Sequence, residues 1–565
     1  MSKIFTRRSF IAGAAAGVGT YAVLGGPAIL TSRGQSAGGG ALTQGVASAE
    51  PTDDAITLWT RVDDLSGNRR VNLEVATDAG FGGSRVVHSD SVPLADGNAI
   101  AKTRVNNLEA GTEYFYRFST DGDDEVGRFR TTRGDSKAEP ARIAFFSCQE
   151  YIAGFYYAHM DLAAREDIDL VVCLGDYIYE QAFASVPVRE DPTGEVQTLD
   201  EYRAKYNLYH RDENLIAVRK RFPLMSIYDD HEVEDNWAGM LPGGQTQDRR
   251  ITFRDRMVNG HRAFFEYMPQ RFPGNIIYRS IKVGGHAELF VLDTRRYRDN
   301  QVCSPGDMFF SGPQCPMSEY NKPGRTLLGK EQKQWLKDGL EASDATWKVI
   351  GTQVMIMSLD LPARSPLNSD SWDGYGDERR ELIEFIGGQD ADGGPVNGGN
   401  GVDDVTFITG DIHTFFAGNV TRSGRESAGA PVESGDEFFI PDGPVRATEF
   451  VGGSITTEGI ADRAGQDENT NTGAALPADA QVMADNFHIK FSCQAFKGYG
   501  ILEAGANELK VTYRAVRDAT DPNDMCVFTL KEFTVPKGGA LPETERETCP
   551  VPPQGDCGPP TGTPN

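Results

Sequence analysis

The chain has 565 residues, 39% hydrophobic and 24% charged, an ordinary globular composition that fits one large domain with a smaller companion. Lys and Arg number 56 against 82 Asp and Glu, a formal net charge of −26. That balance argues against nucleic acid as a partner, and an anionic substrate would need local positive charge of the kind bound metal ions supply.

The N-terminus reads Thr6-Arg7-Arg8-Ser9-Phe10-Ile11 and continues as a Gly- and Ala-rich apolar stretch to about Leu30 with no acidic residue. It resembles a twin-arginine export signal over residues 1–33. The alternative, a membrane anchor, is disfavoured by five glycines between residues 12 and 26. Loss of the segment removes Lys3, Arg7, Arg8 and Arg33 and takes the charge to −30. No second long apolar run follows. The expectation is a protein handed to the twin-arginine machinery, periplasmic or extracellular, without stable membrane insertion after processing. Such substrates cross the membrane folded, which suits a protein that acquires metals before export.

From about 40 to 134 short runs alternate polar and apolar residues, as in Ile56-Thr57-Leu58-Trp59-Thr60-Arg61-Val62 and Tyr114-Phe115-Tyr116-Arg117-Phe118. That period predicts half-buried antiparallel strands and a small β-sandwich. Leu108-Glu109-Ala110-Gly111-Thr112-Glu113-Tyr114 resembles the tyrosine-corner approach of fibronectin type III and Ig-like domains. Gly134 to Pro140 is a polar boundary. From 140 to 535 apolar strands alternate with amphipathic helices. Strands are predicted at 143–147, 170–174, 224–228, 289–293, 347–354 and 405–409, with 509–516 and 528–535 completing the sheet. Helices are predicted at 157–166, 199–220, 252–267, 330–342 and 377–387. The fold class is α/β, a central sheet flanked by helices and preceded by a small all-β domain.

Eight cysteines stand at 148, 173, 303, 315, 493, 526, 549 and 557 with no Cys-x-x-Cys, against a zinc ribbon or iron–sulfur cluster. Cys303 with Cys315 and Cys549 with Cys557 are expected local disulfides, and Cys173 is a core residue. The segment 536–565, rich in Pro, Gly and Thr, reads as a flexible tail.

Chemistry-bearing residues follow the strands. The apolar run Leu170 to Leu174 stops at Gly175 and delivers Asp176 and Tyr179. Alone, Gly-Asp-x-x-Tyr is equally a polar turn or a metal corner, in which a phenolate suits a trivalent ion and a carboxylate bridges to a second. Three more strand ends carry Cys148-Gln149-Glu150, Asp229-Asp230-His231-Glu232 and Asp411-Ile412-His413. Four such clusters, each just past a buried run, point to a site.

In order and spacing these segments resemble the calcineurin-like and purple acid phosphatase metallophosphoesterases. They are most similar to the PhoD-type alkaline phosphatase family, with a match over about 45–515. Phe146-Ser147-Cys148-Gln149, Gly175-Asp176-Tyr177-Ile178-Tyr179-Glu180, Asp229-Asp230-His231-Glu232-Val233-Glu234, Leu292-Asp293-Thr294-Arg295, Ser371-Trp372-Asp373-Gly374-Tyr375 and Thr409-Gly410-Asp411-Ile412-His413 carry the resemblance. It makes 140–535 a PhoD-like metallophosphatase domain with Fe3+ and Ca2+ as cofactors. It assigns Cys148, Asp176, Tyr179 and His413 to the iron, and Asp176, Asp230 and Asp411 to calcium, which prefers hard oxygen donors. Cys148 stands where the purple enzymes place an Asp. Asp229 is a ligand or a structural acceptor. His231 faces the substrate and stabilises or protonates the leaving oxygen, held by Glu232 or another neighbouring acid. Arg295 contacts phosphate or pairs with Asp293 or Asp299.

The implied reaction is hydrolysis of phosphomonoesters, and of phosphodiesters, by a metal-activated water or oxide, releasing phosphate. One alternative is an exported, phospholipase D-like phosphodiesterase on the same centre. Another is a non-catalytic metal-binding surface protein. Gly393 to Gly401 lacks the Gly-Lys-Ser/Thr ending of a phosphate-binding loop. His88, His159, His210, His261, His286 and His488 lack strand-end context and read as structural.

Overall fold

The computed structural model describes residues 39–65, 69–244, 246, 248–302, 317–359, 368–390, 393–422, 444–463, 477–553, 555 and 557. The export-signal segment and the expected Cys303–Cys315 pair lie outside them.

The alternating N-terminal runs form two antiparallel sheets. One contains Val46–Ala49, Ile56–Arg61 and Ile100–Val105. The other is ordered Val86–Pro93, Arg70–Ala76, Glu113–Ser119, Asp124–Arg130. Tyr114, Tyr116 and Phe118, two apart, all point into a core with Leu58, Leu73, Val75 and Phe129. Full burial of side chains this size stabilises by about 1.5–3 kcal/mol each. The Tyr114 hydroxyl accepts from the main-chain N–H of Glu109 at 2.9 Å, the expected tyrosine corner. Trp59 points out of this sandwich into the larger core, donating from Nε1 to the Glu266 carbonyl at 3.0 Å. Lys102 donates to the carbonyls of Phe265 and Gln270. The β-domain is thus docked firmly on the second domain.

The second domain is a sandwich of two sheets. The first is ordered Leu224–Ser226, Leu170–Cys173, Ala141–Phe146, Lys497–Ala504, Glu508–Val516, Val527–Pro536. The second is ordered Arg279–Lys282, Ala287–Val291, Trp347–Thr352, Val405–Thr409, Ala447–Gly452, Phe415–Val420, Ile489–Cys493, Glu547–Thr548. Alternate residues of the second sheet go to opposite faces, as strand geometry requires. Leu289, Val349 and Ile408 join the core that contains Ile143, Phe145 and Val171. Phe290, Ile350 and Phe407 instead meet Leu336, Leu340, Leu382 and Ile383 from helices Gly329–Ala342 and Gly376–Gly387. Both faces of these parallel strands are buried, which explains their unbroken apolar runs.

Two expectations change. The helix expected at 199–220 is two, Leu199–Tyr209 and Glu213–Arg221, because the Asp212 carboxylate accepts from Asn214 and Leu215 N–H and caps a fresh start. Cys549 pairs with Cys493, and Cys557 with Cys526, in place of the local Cys549–Cys557 bridge. Glu547–Thr548 runs beside Ile489–Cys493, so the chain after 536 is brought back onto the sheet before Cys549 closes the bond. Among the described residues no helix is long and apolar enough to cross a membrane.

Candidate metal centre

The parallel strands of both sheets deliver their C-terminal loops to one edge, where α/β folds build sites. Cys148, Asp176, Asp411 and His413 each take a left-handed backbone, with φ of 58°, 53°, 67° and 56°. Such conformations persist only where the surroundings over-determine them. Gly175, at φ 113°, allows the Asp229 loop to approach; a Cβ there would lie 2.5 Å from that of Asp229. Cys148 N–H donates to Gly175 O at 3.3 Å, and Gln149 N–H to Asp176 O at 3.1 Å. The buried Glu232 carboxylate accepts from the N–H groups of Asp176, Tyr177 and Asp229 at 3.3, 2.6 and 2.8 Å, tying the second loop to the third.

These ties bring the expected donors together. Ligand atoms of Cys148, Asp176 and His413 lie within 4.8 Å of one another, as do those of Asp176, Asp230 and His231 and those of Asp229, Asp230 and Asp411. Tyr179 Oη lies 3.1 Å from Asp176 Oδ2, 3.2 Å from His413 Nε2 and 2.9 Å from Thr457 Oγ1. His413 Nδ1 donates to the Glu458 carbonyl at 2.7 Å, which leaves the Nε2 lone pair facing the cluster.

The donor set fits a metal. Asp176 Oδ1, Asp229 Oδ2 and Asp230 Oδ1 are buried without a hydrogen bond. Burial, then the charge of Asp176, pushes the Cys148 thiol and the Tyr179 phenol well up. Burial, reinforced by neighbouring carboxylates, does the same to Asp176 and Asp411, and Asp229 rises to about 6 against the pull of Arg295. Burial raises Asp230 too, but Arg295 and His231 outweigh it and hold that carboxyl well below its usual range. Buried groups that ionise to anions but are held neutral in this way would be stabilised as ligands by a bound cation.

Arg295 supplies one at the Asp230 end. Its fully buried side chain pairs through Nε with Asp229, through Nη2 with Asp230 at 3.5 Å and Asp411 at 3.4 Å, and through Nη1 with Asp370 at 2.7 Å. Its partners are therefore not the expected Asp293 or Asp299, and it has no exposed face for the expected phosphate contact. Asp293 instead accepts from the main-chain N–H of Arg295 and from Tyr228 Oη. Arg298 and Gln301 also bind Asp370, whose part in the cluster no strand-end pattern flagged.

His231 is held by Glu180, not Glu232. Glu180 Oε2 lies 2.8 Å from His231 Nδ1, and its Oε1 accepts from Asp235 N–H at 2.9 Å. The other ring nitrogen, Nε2, stands 3.7 Å from Asp235 Oδ1. Burial alone would neutralise this imidazole, but Asp230, Asp176 and Glu180 outweigh it and keep the ring protonated well above its ordinary range. The ring stacks on Tyr179 with centroids 4.1 Å apart. Glu180 closes the Gly-Asp-x-x-Tyr motif in sequence, so adjacency was the available signal; Asp235 and Thr457 carried none.

The PhoD-like phosphatase family model matches residues 143–513, and that of the PhoD-like phosphatase N-terminal domain matches residues 29–133. Alkaline phosphatase D of Bacillus subtilis (strain 168) is 32% identical over 521 residues, covering 88% of this chain and 81% of that protein. The solved structure described as that of PhoD superposes with a TM-score of 0.74 at 30% identity, covering 88% of this chain and 91% of the other. The chain is a phosphoric ester hydrolase and belongs to the PhoD-like phosphatase family.

Proposed function

We propose that the chain is an exported, metal-dependent alkaline phosphatase that hydrolyses phosphomonoesters, and phosphodiesters, with the twin-arginine machinery as its export partner. Cys148, Asp176, Tyr179 and His413 would hold Fe3+, and Asp176, Asp230 and Asp411 would hold Ca2+. The observation that carries the iron reading is the convergence of a thiol, a carboxylate, a phenol and an imidazole nitrogen on one buried point, with Tyr179 Oη at 3.1 and 3.2 Å from its neighbours. At the second end the donor atoms are all carboxylate, from Asp229, Asp230 and Asp411 around the Arg295 guanidinium, and such hard oxygen donors support a hard divalent ion there. When bound, such ions supply charge to the phosphoryl oxygens and lower the pKa of the attacking water.

The chain's own contribution lies in proton handling and orientation. Glu180 receives the Nδ1 proton of His231 in a 2.8 Å hydrogen bond, which fixes the ring and leaves Nε2–H for the leaving oxygen. Glu232 takes no proton from His231; it keeps the Asp176 and Asp229 loops in register.

Elemental analysis with a visible spectrum tests the reading. Iron, calcium and a phenolate charge-transfer band that disappears in Tyr179→Phe are expected. Zinc alone in a colourless protein would overturn the metal assignment. Phosphate release from p-nitrophenyl phosphate should fall about 10²–10⁴-fold in His231→Ala with metal content unchanged. Comparison with the bis-ester, with and without calcium, separates monoesterase from diesterase.

A further inference from the structure

We propose that Phe183 is the wall of the subsite that receives the alcohol part of the ester, and that it favours aryl over small alkyl phosphates. This rests on the phosphatase reading above. Just past the ligand motif the chain passes beside His231 as residues 182–186. The Phe183 ring centroid lies 4.7 Å from that of His231 and 5.9 Å from that of Tyr179, edge-on to both. The residue is only half-buried, and its ring flanks a histidine whose own side chain is 8% exposed.

Two carboxylates that the reaction does not use fix this segment. Glu150 Oε1 accepts from Phe183 N–H at 2.6 Å and Ala184 N–H at 2.9 Å. Glu458 Oε1 accepts from Ser185 N–H at 2.7 Å and Ser185 Oγ at 2.6 Å. Both belong to loops that carry donors: Glu150 lies two residues after Cys148, and the Glu458 carbonyl orients His413. Charge-assisted bonds from two sides hold the strap, and Phe183 with it, in register with the cluster.

The position then follows from the chemistry. A general acid must come within hydrogen-bond reach of the leaving oxygen. The group attached to that oxygen therefore sits within a few ångströms of His231, against the ring that flanks it. An aromatic alcohol gains apolar contact and edge or stacking geometry there, which a glyceryl or methyl group does not.

The test is the ratio of kcat/KM for p-nitrophenyl phosphate to that for glycerol 2-phosphate, compared between wild type and variants so that intrinsic leaving-group reactivity cancels. In Phe183→Ala the ratio should fall about tenfold, the scale of one or two methylenes of apolar contact. Phe183→Leu should give an intermediate ratio, and it serves as the test variant if the alanine form melts early. Inhibition by inorganic phosphate, which has no alcohol part, should not change. Equal losses on both esters, or weakened phosphate inhibition in a variant that melts like wild type, would overturn the proposal. An inactive wild type would sink the phosphatase reading as well, whereas an active wild type with an unmoved ratio would sink the wall alone.

Discussion

The two ends of the donor cluster meet at Asp176 but handle charge in opposite ways. At one end Cys148 and Tyr179 are buried, pushed away from ionisation by burial and by Asp176, and bonded only to neutral or anionic neighbours. At the other, Asp229, Asp230 and Asp411 surround a guanidinium that belongs to the chain. At the first end the nearest positive group of the chain is the His231 ring stacked on Tyr179, so a bound metal ion would favour ionisation of its donors. The second is partly neutralised in advance, so an ion there adds to an existing balance and should exchange more readily.

Substitution at the junction should have the largest effect. Asp176→Asn removes the carboxylate common to two donor groups; kcat/KM should fall on the order of 10³-fold, and both metals should drop together in elemental analysis. Retention of one metal at full occupancy would contradict a shared donor. Arg295→Met probes the acidic end by removing the cation from four buried carboxylates. The metal-free variant should lose roughly 3–5 kcal/mol in chemical denaturation, with part restored by calcium. An unchanged midpoint would show that Arg295 does not balance that end.

A smaller effect is expected at Glu180. Glu180→Gln should lower kcat/KM about tenfold, as for other outer carboxylates that orient a functional histidine, with metal content intact and the loss steepest for alcohols that leave poorly. A loss uniform across leaving groups would assign Glu180 to packing.

The smallest effect separates metal loading from ordinary acid lability. His261 lies outside both ends, stacked on Tyr228 with centroids 4.6 Å apart, and burial holds its pKa down at about 3. Its unfolded ring titrates near pH 6.5. The unfolded chain therefore binds the extra proton first, and the neutral ring's contribution is full above pH 6.5 and lost as pH falls towards 3. Between pH 6.5 and 5.5 wild type should lose roughly 1 kcal/mol that His261→Phe keeps. Equal slopes in urea denaturation at the two pH values would clear the ring.

Much of this site is legible in local sequence. A short apolar run that stops at a turn reads as a buried strand whose next residues emerge at the sheet edge, which puts Cys148, Asp176, Asp230 and Asp411 at strand ends; four such clusters together point to a site, and the family resemblance supplies their roles. Some strands resist such reading. Lys497–Ala504 carries glycines at 498 and 500, poor for a strand in isolation. Gly500 is there because a Cβ would sit 2.2 Å from the Phe145 ring on the neighbouring strand, a need visible only after folding.

By itself, then, the sequence determined the layered α/β architecture and the strand-end positions of the candidate donors, because each depends on periodicity over a few residues, while the tyrosine corner and the role proposed for each donor came from resemblance to known families. Only the tertiary structure decided which groups meet. It paired Cys493 with Cys549 across 56 positions, chose Glu180 over Glu232 for His231, and enclosed Arg295 among carboxylates from 66 positions before it to 116 after it. Electrostatic and covalent partners are set by distances in space, and distance along the chain says little about those once two sheets have folded face to face.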